Sequence, residues 1–157
     1  MRPFPLYYSA LLVVEAAVLG TLVALHGAHA PYRYELGYAA VASFAAMQLY
    51  SVRRRIRVLR DLGSLDAWLD FHVFLGLQGL VFVAYHAIGL VVRLDIANGD
   101  AAVVLALTLT GMIGRYLFRY VARARTEAIW SLLHRPLAFV LLALTTLHVL
   151  AHFAYAR

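Results

Sequence analysis

Long apolar runs, free of charge and separated by short arginine-bearing turns, constrain this chain more than any other feature. Several of them approach or exceed the ~20 residues a helix needs to cross hydrocarbon. Charged residues make up only 14% of the 157-residue chain and apolar ones 64%, against ~25% charged in an ordinary soluble domain. Such a composition cannot supply the polar shell of a soluble core this size. The net charge of +6 comes from arginine alone. Those arginines sit in turns between apolar runs, which fits membrane topology and not a nucleic-acid-binding face. The absence of cysteine removes disulfides, thiolate metal sites, iron–sulfur clusters and covalent c-type haem, so any metal chemistry must use histidine or carboxylate.

The expected fold is all-α: a single integral membrane domain over residues 1–157 with five spans near 6–26, 36–52, 69–92, 101–120 and 132–155. The run after Met1-Arg2-Pro3 has no convincing cleavage site and reads as a mature helix, not a signal peptide. Gly27-Ala28-His29-Ala30-Pro31, Gly63-Ser64 and the Asp95–Asp100 stretch read as breaks. Arg53, Arg54, Arg55, Arg57 and Arg60 load the second loop; Arg123 and Arg125, flanked by Arg119 and Arg135, load the fourth. The first and third loops hold only Arg33 and Arg93. The positive-inside rule then puts the N-terminus in the cytoplasm and the C-terminus outside. Trp130, Tyr7, Tyr8, Tyr32 and Tyr34 fall where interfacial aromatics belong.

Seven histidines are many for so small a bundle. His26 and His29, at the outer end of the first span, need no special role. His72 and His86 on span three are 14 residues apart, as are His134 and His148 on span five. On a helix this spacing is a rise of about 21 Å and a rotation about 40° short of four turns. Each pair therefore lies near one face, with one member towards each side of the membrane. Spans three and five run in the same direction in the expected topology, so His72 is level with His134 and His86 with His148. Two matched levels of imidazole provide two bis-histidine sites, and two imidazoles fill both axial positions of a haem iron. The alternative is that the histidines line a cavity or hydrogen-bond across helices. A proton relay would bring buried carboxylates, and Glu15 is the only acidic residue well inside a span.

Pro136 follows His134 by two residues, and proline favours a helix's first turn. His134 is thus expected in the opening turn of span five or beside a kink. His152, one turn beyond His148, is a possible substitute ligand or a neighbour of haem propionates at the outer surface. Gly76 and Gly79 would admit either a porphyrin or a neighbouring helix; Gly111 and Gly114 carry the same ambiguity. Arg115, close to hydrocarbon, pairs either with a propionate of an inner haem or with lipid phosphate.

At His72-Val73-Phe74-Leu75-Gly76 leading to His86, and Leu133-His134-Arg135-Pro136-Leu137-Ala138 leading to His148, the chain resembles the ferric-reductase-like transmembrane cytochrome b superfamily, which includes NADPH oxidase membrane domains. The likeness covers mainly spans three to five. It implies two haem b groups, with His72 and His134 as inner ligands and His86 and His148 as outer ones. Family reductases commonly add a sixth span and a flavin and nicotinamide domain. The 157 residues hold no Gly-rich dinucleotide motif, so a separate flavoprotein, quinol or cytochrome is the expected donor.

The expected function is a dihaem b-type cytochrome carrying electrons across a membrane, by default the bacterial cytoplasmic membrane, as part of a complex with a separate redox partner or quinone. No catalytic residue is assigned. Two alternatives stay open: a quinol-oxidising or metal-reducing subunit with a substrate site beside one haem, and a non-redox transporter or assembly protein. Few intramembrane charges and no pair of broken helices count against transport.

Overall fold

A computed structural model describes residues 4–53, 55–88, 96–117 and 124–155. Among these, all regular structure is helical: α1 (Leu6–His26), a 3₁₀ turn (Gly27–His29), α2 (Arg33–Met47), α3 (Leu49–Arg53), α4 (Arg57–Arg60), α5 (Leu65–His86), α6 (Ile96–Leu117) and α7 (Ala124–Tyr155). Three stretches are long and apolar enough to cross a bilayer, Leu6–His29, Leu65–His86 and Trp130–Ala154. The expected span ends Val92 and Tyr120, together with Met1, Arg2, Pro3, Arg54, Gly89, Arg93, Asp95, Arg119 and Arg123, lie outside the described residues. The chain divides into two compact units, Met1–Gly89 and Leu90–Arg157, and each is described by itself.

In the first unit α1 runs over the residues expected of it. Gly27, at φ 57, ends it in a conformation that costs a side-chain-bearing residue energy. The second expected span is broken: α2 stops at Met47, and α3 restarts at Leu49. At the break the Ser51 amide bonds the Gln48 carbonyl at 2.9 Å, a three-residue step that leaves the Met47 carbonyl to another donor. Continuous apolar character concealed this change of backbone pairing. At 15 residues, α2 rises about 22 Å, short of the ~30 Å of hydrocarbon. Ser64 caps α5, its hydroxyl accepting from the Ala67 amide at 3.2 Å, and Asp66 complements the first-turn dipole.

Side-chain contacts set the helix directions. Arg33 meets His86 and Met47 meets His72, so α2 and α5 are antiparallel. Tyr8 stacks on Phe74 at 4.5 Å and Glu15 meets Gln78, so α1 and α5 run the same way. This is the alternation expected of consecutive spans. The core is small: Met47, Phe74 and Leu75, with Phe4, Tyr8, Leu12, Phe44, Ala46 and Phe71 against them. No described residue of α1 is buried, and Val13 is 68% exposed. Large apolar side chains facing outward along whole helices suit lipid as the surrounding medium.

In the second unit α6 and α7 pack antiparallel around Val104, Leu107 and Leu141. Two sequence expectations change here. The residues Ile96–Asp100, read as part of a turn, belong to α6. Asn98 and Gly99 are tolerated because the first four amides of a helix lack intrahelical acceptors in any case. Helix α7 spans Ala124–Tyr155 with Pro136 inside it, so His134 is not in an opening turn. Alanine, glutamate and leucine in Ala124–Leu133 favour helix, which offsets the amide bond to the Leu132 carbonyl that Pro136 removes and the crowding of that carbonyl by its ring.

Candidate functional site

Both α5 histidines are tied to α2 through Nδ1. His72 Nδ1 lies 3.0 Å from the Met47 carbonyl oxygen, the acceptor released by the break at Gln48, and the Tyr50 ring lies 5.2 Å away. His86 Nδ1 lies 2.7 Å from the Arg33 carbonyl oxygen. Arg33 returns the contact: Nη2 and Nε donate to the His86 carbonyl at 2.9 and 3.3 Å, while Nη1 donates to Ala28 O at 2.8 Å. The guanidinium thus caps the carbonyl end of α5, where a cation is favourable. Gly37, one turn after Arg33, makes room for the imidazole. A Cβ there would stand 2.8 Å from His86 Nδ1 and 3.0 Å from Cε1.

These contacts decide a tautomer. A carbonyl oxygen only accepts, so Nδ1 carries the hydrogen in both residues and the lone pair of the neutral ring is on Nε2.

His134 is held in the second unit by a third Nδ1 contact, 3.0 Å from Thr110 Oγ1. Thr110 already donates its one hydroxyl hydrogen to Leu107 O at 3.0 Å, so it accepts from the ring. Trp130 stacks on His134 with centroids 4.9 Å apart and planes 15° apart, and its Nε1 donates to Thr110 O at 2.7 Å. Gly111 and Gly114 admit these two rings. A Cβ at Gly111 would lie 3.3 Å from His134 Cε1, and one at Gly114 would collide with the Trp130 indole. Trp130, expected to be an interfacial anchor, orients a histidine. Three residues before His148 on α7, Thr145 Oγ1 donates to the Asp100 carboxylate at 3.0 and 3.2 Å. His152 is exposed and meets the edge of Phe153.

Several other expected residues fall into place. The Phe44 ring covers Gly79, where packing against α2 leaves no room for a Cβ, while a Cβ at Gly76 would meet Met47 Sδ at 3.4 Å, an ordinary contact. Arg115 is buried, at 7% exposure, in the last turn of α6. Sequence reasoning missed Arg53, which is also buried. Its Nη2 donates to Arg60 O and Gly63 O, both at 2.8 Å, with the Trp68 ring 5.6 Å from its guanidinium carbon. It missed the clasp of Arg33 and Gly37 too, because the acceptor there is a main-chain carbonyl that residue identity does not mark. Glu15 Oε1 accepts from Gln78 Nε2 at 2.7 Å, while its buried Oε2 has no hydrogen-bond partner.

His86 is the last residue of α5 and His72 lies 14 residues before it, and His134 and His148 are equally separated along α7. Among the described residues no three His, Asp or Glu side chains converge on a metal-sized site. Comparison with protein-family models, curated proteins and solved structures returns no match.

Proposed function

We propose that the chain is a membrane-embedded dihaem b-type cytochrome of the ferric-reductase-like kind, carrying electrons between a separate donor and acceptor or quinone. The observation that supports this most is the common state of His72, His86 and His134. Each engages a neighbouring helix through Nδ1, which presents the Nε2 lone pair and fixes the ring plane. This is the outer-shell arrangement that prepares a histidine for a metal. Haem, when bound, supplies a one-electron ferric/ferrous couple. The chain's own residues hold, orient and electrically tune it. Ligand pairing follows the matched sequence spacing: His72 with His134 on the inner side, His86 with His148 on the outer.

In this reading there are five spans, with α6 as the fourth and α2 with α3 as a broken second. The N-terminus is cytoplasmic by the arginine distribution, and the bacterial cytoplasmic membrane is the proposed location. The buried Arg115 is the partner for an inner propionate. His152, being exposed, is a poorer ligand than His148.

The same hydrogen bonds favour a second reading, in which the histidines serve only to bridge helices. One experiment separates the two. Protein purified after expression with ample haem should be red, with a low-spin b-type reduced-minus-oxidised spectrum and two haems per chain by pyridine haemochrome. His86→Ala and His148→Ala should each remove the same haem. A colourless, folded protein refutes the cytochrome and leaves the bridging role; loss of different haems refutes the pairing.

A further inference from the structure

Residues 55–62 lie between α3 and α5 and include only the four-residue α4, too short to bury a face of its own. Ile56, Val58 and Leu62 are all exposed there, Val58 to 76%. Outward apolar side chains along α1 or α5 meet acyl chains, but these three precede the apolar stretch Leu65–His86 and so fall towards the headgroup layer. They alternate with arginine in Arg55-Ile56-Arg57-Val58, and both arginines are exposed. Cationic and apolar side chains in alternation match an interface that is anionic outside and hydrocarbon within. Topology alone would ask only for the charge.

The segment is also held in shape. The buried Arg53 donates from Nη2 to Arg60 O and Gly63 O, both at 2.8 Å. Trp68 Nε1 donates to Leu62 O, and its ring lies 5.6 Å from the Arg53 guanidinium carbon. Three carbonyls between residues 60 and 63 are thus tied to α3 and α5. A surface fixed in this way loses less conformational freedom when it binds.

We propose that residues 55–62 form a docking site for anionic phospholipid, with Arg55 and Arg57 binding the headgroup phosphate and Ile56, Val58 and Leu62 entering the acyl region beside it. Guanidinium suits phosphate because its planar fork pairs with two oxygens at once. The arginine stems lie along the apolar layer while their heads stay at the phosphates. Asp61 is the one acid among these eight residues, against three arginines, so the local charge stays positive. The site lies wholly within the first unit and needs no haem.

The test is lipid-selective fluorescence quenching in the full chain, reconstituted into vesicles of phosphatidylglycerol and phosphatidylcholine with one of the two lipids brominated. A Trp130→Phe background leaves Trp68, beside the site, as the only indole. At low salt the brominated phosphatidylglycerol should quench Trp68 several-fold more effectively than the brominated phosphatidylcholine. Each arginine near the surface contributes about fivefold, so Arg55→Gln with Arg57→Gln should bring the two lipids close to parity. High salt should weaken the preference of the unsubstituted site as well. Val58→Ser with Leu62→Ser should reduce quenching by both lipids alike, because insertion is lost and charge is kept. All four side chains are exposed, so the fold should survive these changes, and circular dichroism checks it. Equal quenching by the two lipids, or a preference that outlasts the arginine substitutions, overturns the lipid site. The arginines then serve topology alone or an acidic protein surface.

Discussion

Gly37→Ala tests the clasp between α2 and α5 with the addition of a single methyl group. The new carbon would sit 2.8, 3.0 and 3.3 Å from Nδ1, Cε1 and Cγ of His86. All three atoms belong to one rigid ring, so no single torsion relieves the crowding. To reach ordinary contact the imidazole must retreat by about 0.6 Å. Retreat from α2 also stretches the 2.7 Å bond to the Arg33 carbonyl towards the limit of a useful hydrogen bond. Overpacking of this kind costs about 1–3 kcal/mol, and a weakened hydrogen bond about 0.5–1.5 kcal/mol. Against these, alanine in a helix interior recovers about 0.8–1 kcal/mol over glycine. The expected balance is a destabilisation of about 1–3 kcal/mol. It should be measured by equilibrium unfolding in mixed micelles, followed by circular dichroism. Gly20→Ala is the matched control, because nothing lies within 4 Å of its added carbon, and it should be neutral or mildly stabilising. In a His86→Ala background the Gly37→Ala penalty should vanish, a coupling that a double-mutant cycle reads directly. If Gly37→Ala behaves like Gly20→Ala, or keeps its penalty without the imidazole, the clasp does not exist as described.

Further substitutions probe the other contacts. Trp130→Phe should keep the stacking on His134 but lose the bond to Thr110 O, costing about 1 kcal/mol in the same unfolding assay. Gly114→Ala, which collides with the indole, should cost more and be relieved in a Trp130→Ala background. Gln78→Leu strands Glu15 Oε1 without its donor and should cost about 1–3 kcal/mol. The double replacement of Glu15 and Gln78 by leucine should regain most of that loss, because it leaves neither member of this pair without its partner.

The helical class and the positions of α1, α5 and most of α7 were legible in the sequence, because span length and apolar continuity answer to one variable, the thickness of hydrocarbon. Boundaries governed by local backbone pairing were not. The break at Gln48 lies inside an apolar run with no glycine or proline to mark it, and its cause is a change of acceptor for the Ser51 amide. Pro136 misled in the opposite direction. A proline in an apolar segment reads as a start signal, yet α7 carries it internally. The four histidines were visible from type and spacing alone. Their supports were not, since a main-chain carbonyl at Met47 or Arg33 leaves no trace in residue identity.

Those supports follow from a constraint that hydrocarbon places on any histidine. A neutral imidazole keeps one N–H, and in lipid that hydrogen must find an acceptor within the protein. Carbonyls in a regular helix already receive amides, so the acceptor comes from a departure from regularity, from a side chain, or from the second lone pair of a helical carbonyl that its neighbours leave uncovered. Each of the three anchors does so differently. His72 uses a carbonyl released where α2 changes its pairing. His86 reaches the Arg33 carbonyl because Gly37 leaves the helix surface bare. His134 uses a threonine hydroxyl whose own hydrogen is already committed. The two α2 anchors are themselves 14 residues apart, the spacing of the α5 histidines they hold. An antiparallel neighbour repeating the spacing of its partner fixes both rings at once. The break at Gln48 is therefore better understood as part of that pair of anchors than as an imperfect membrane span.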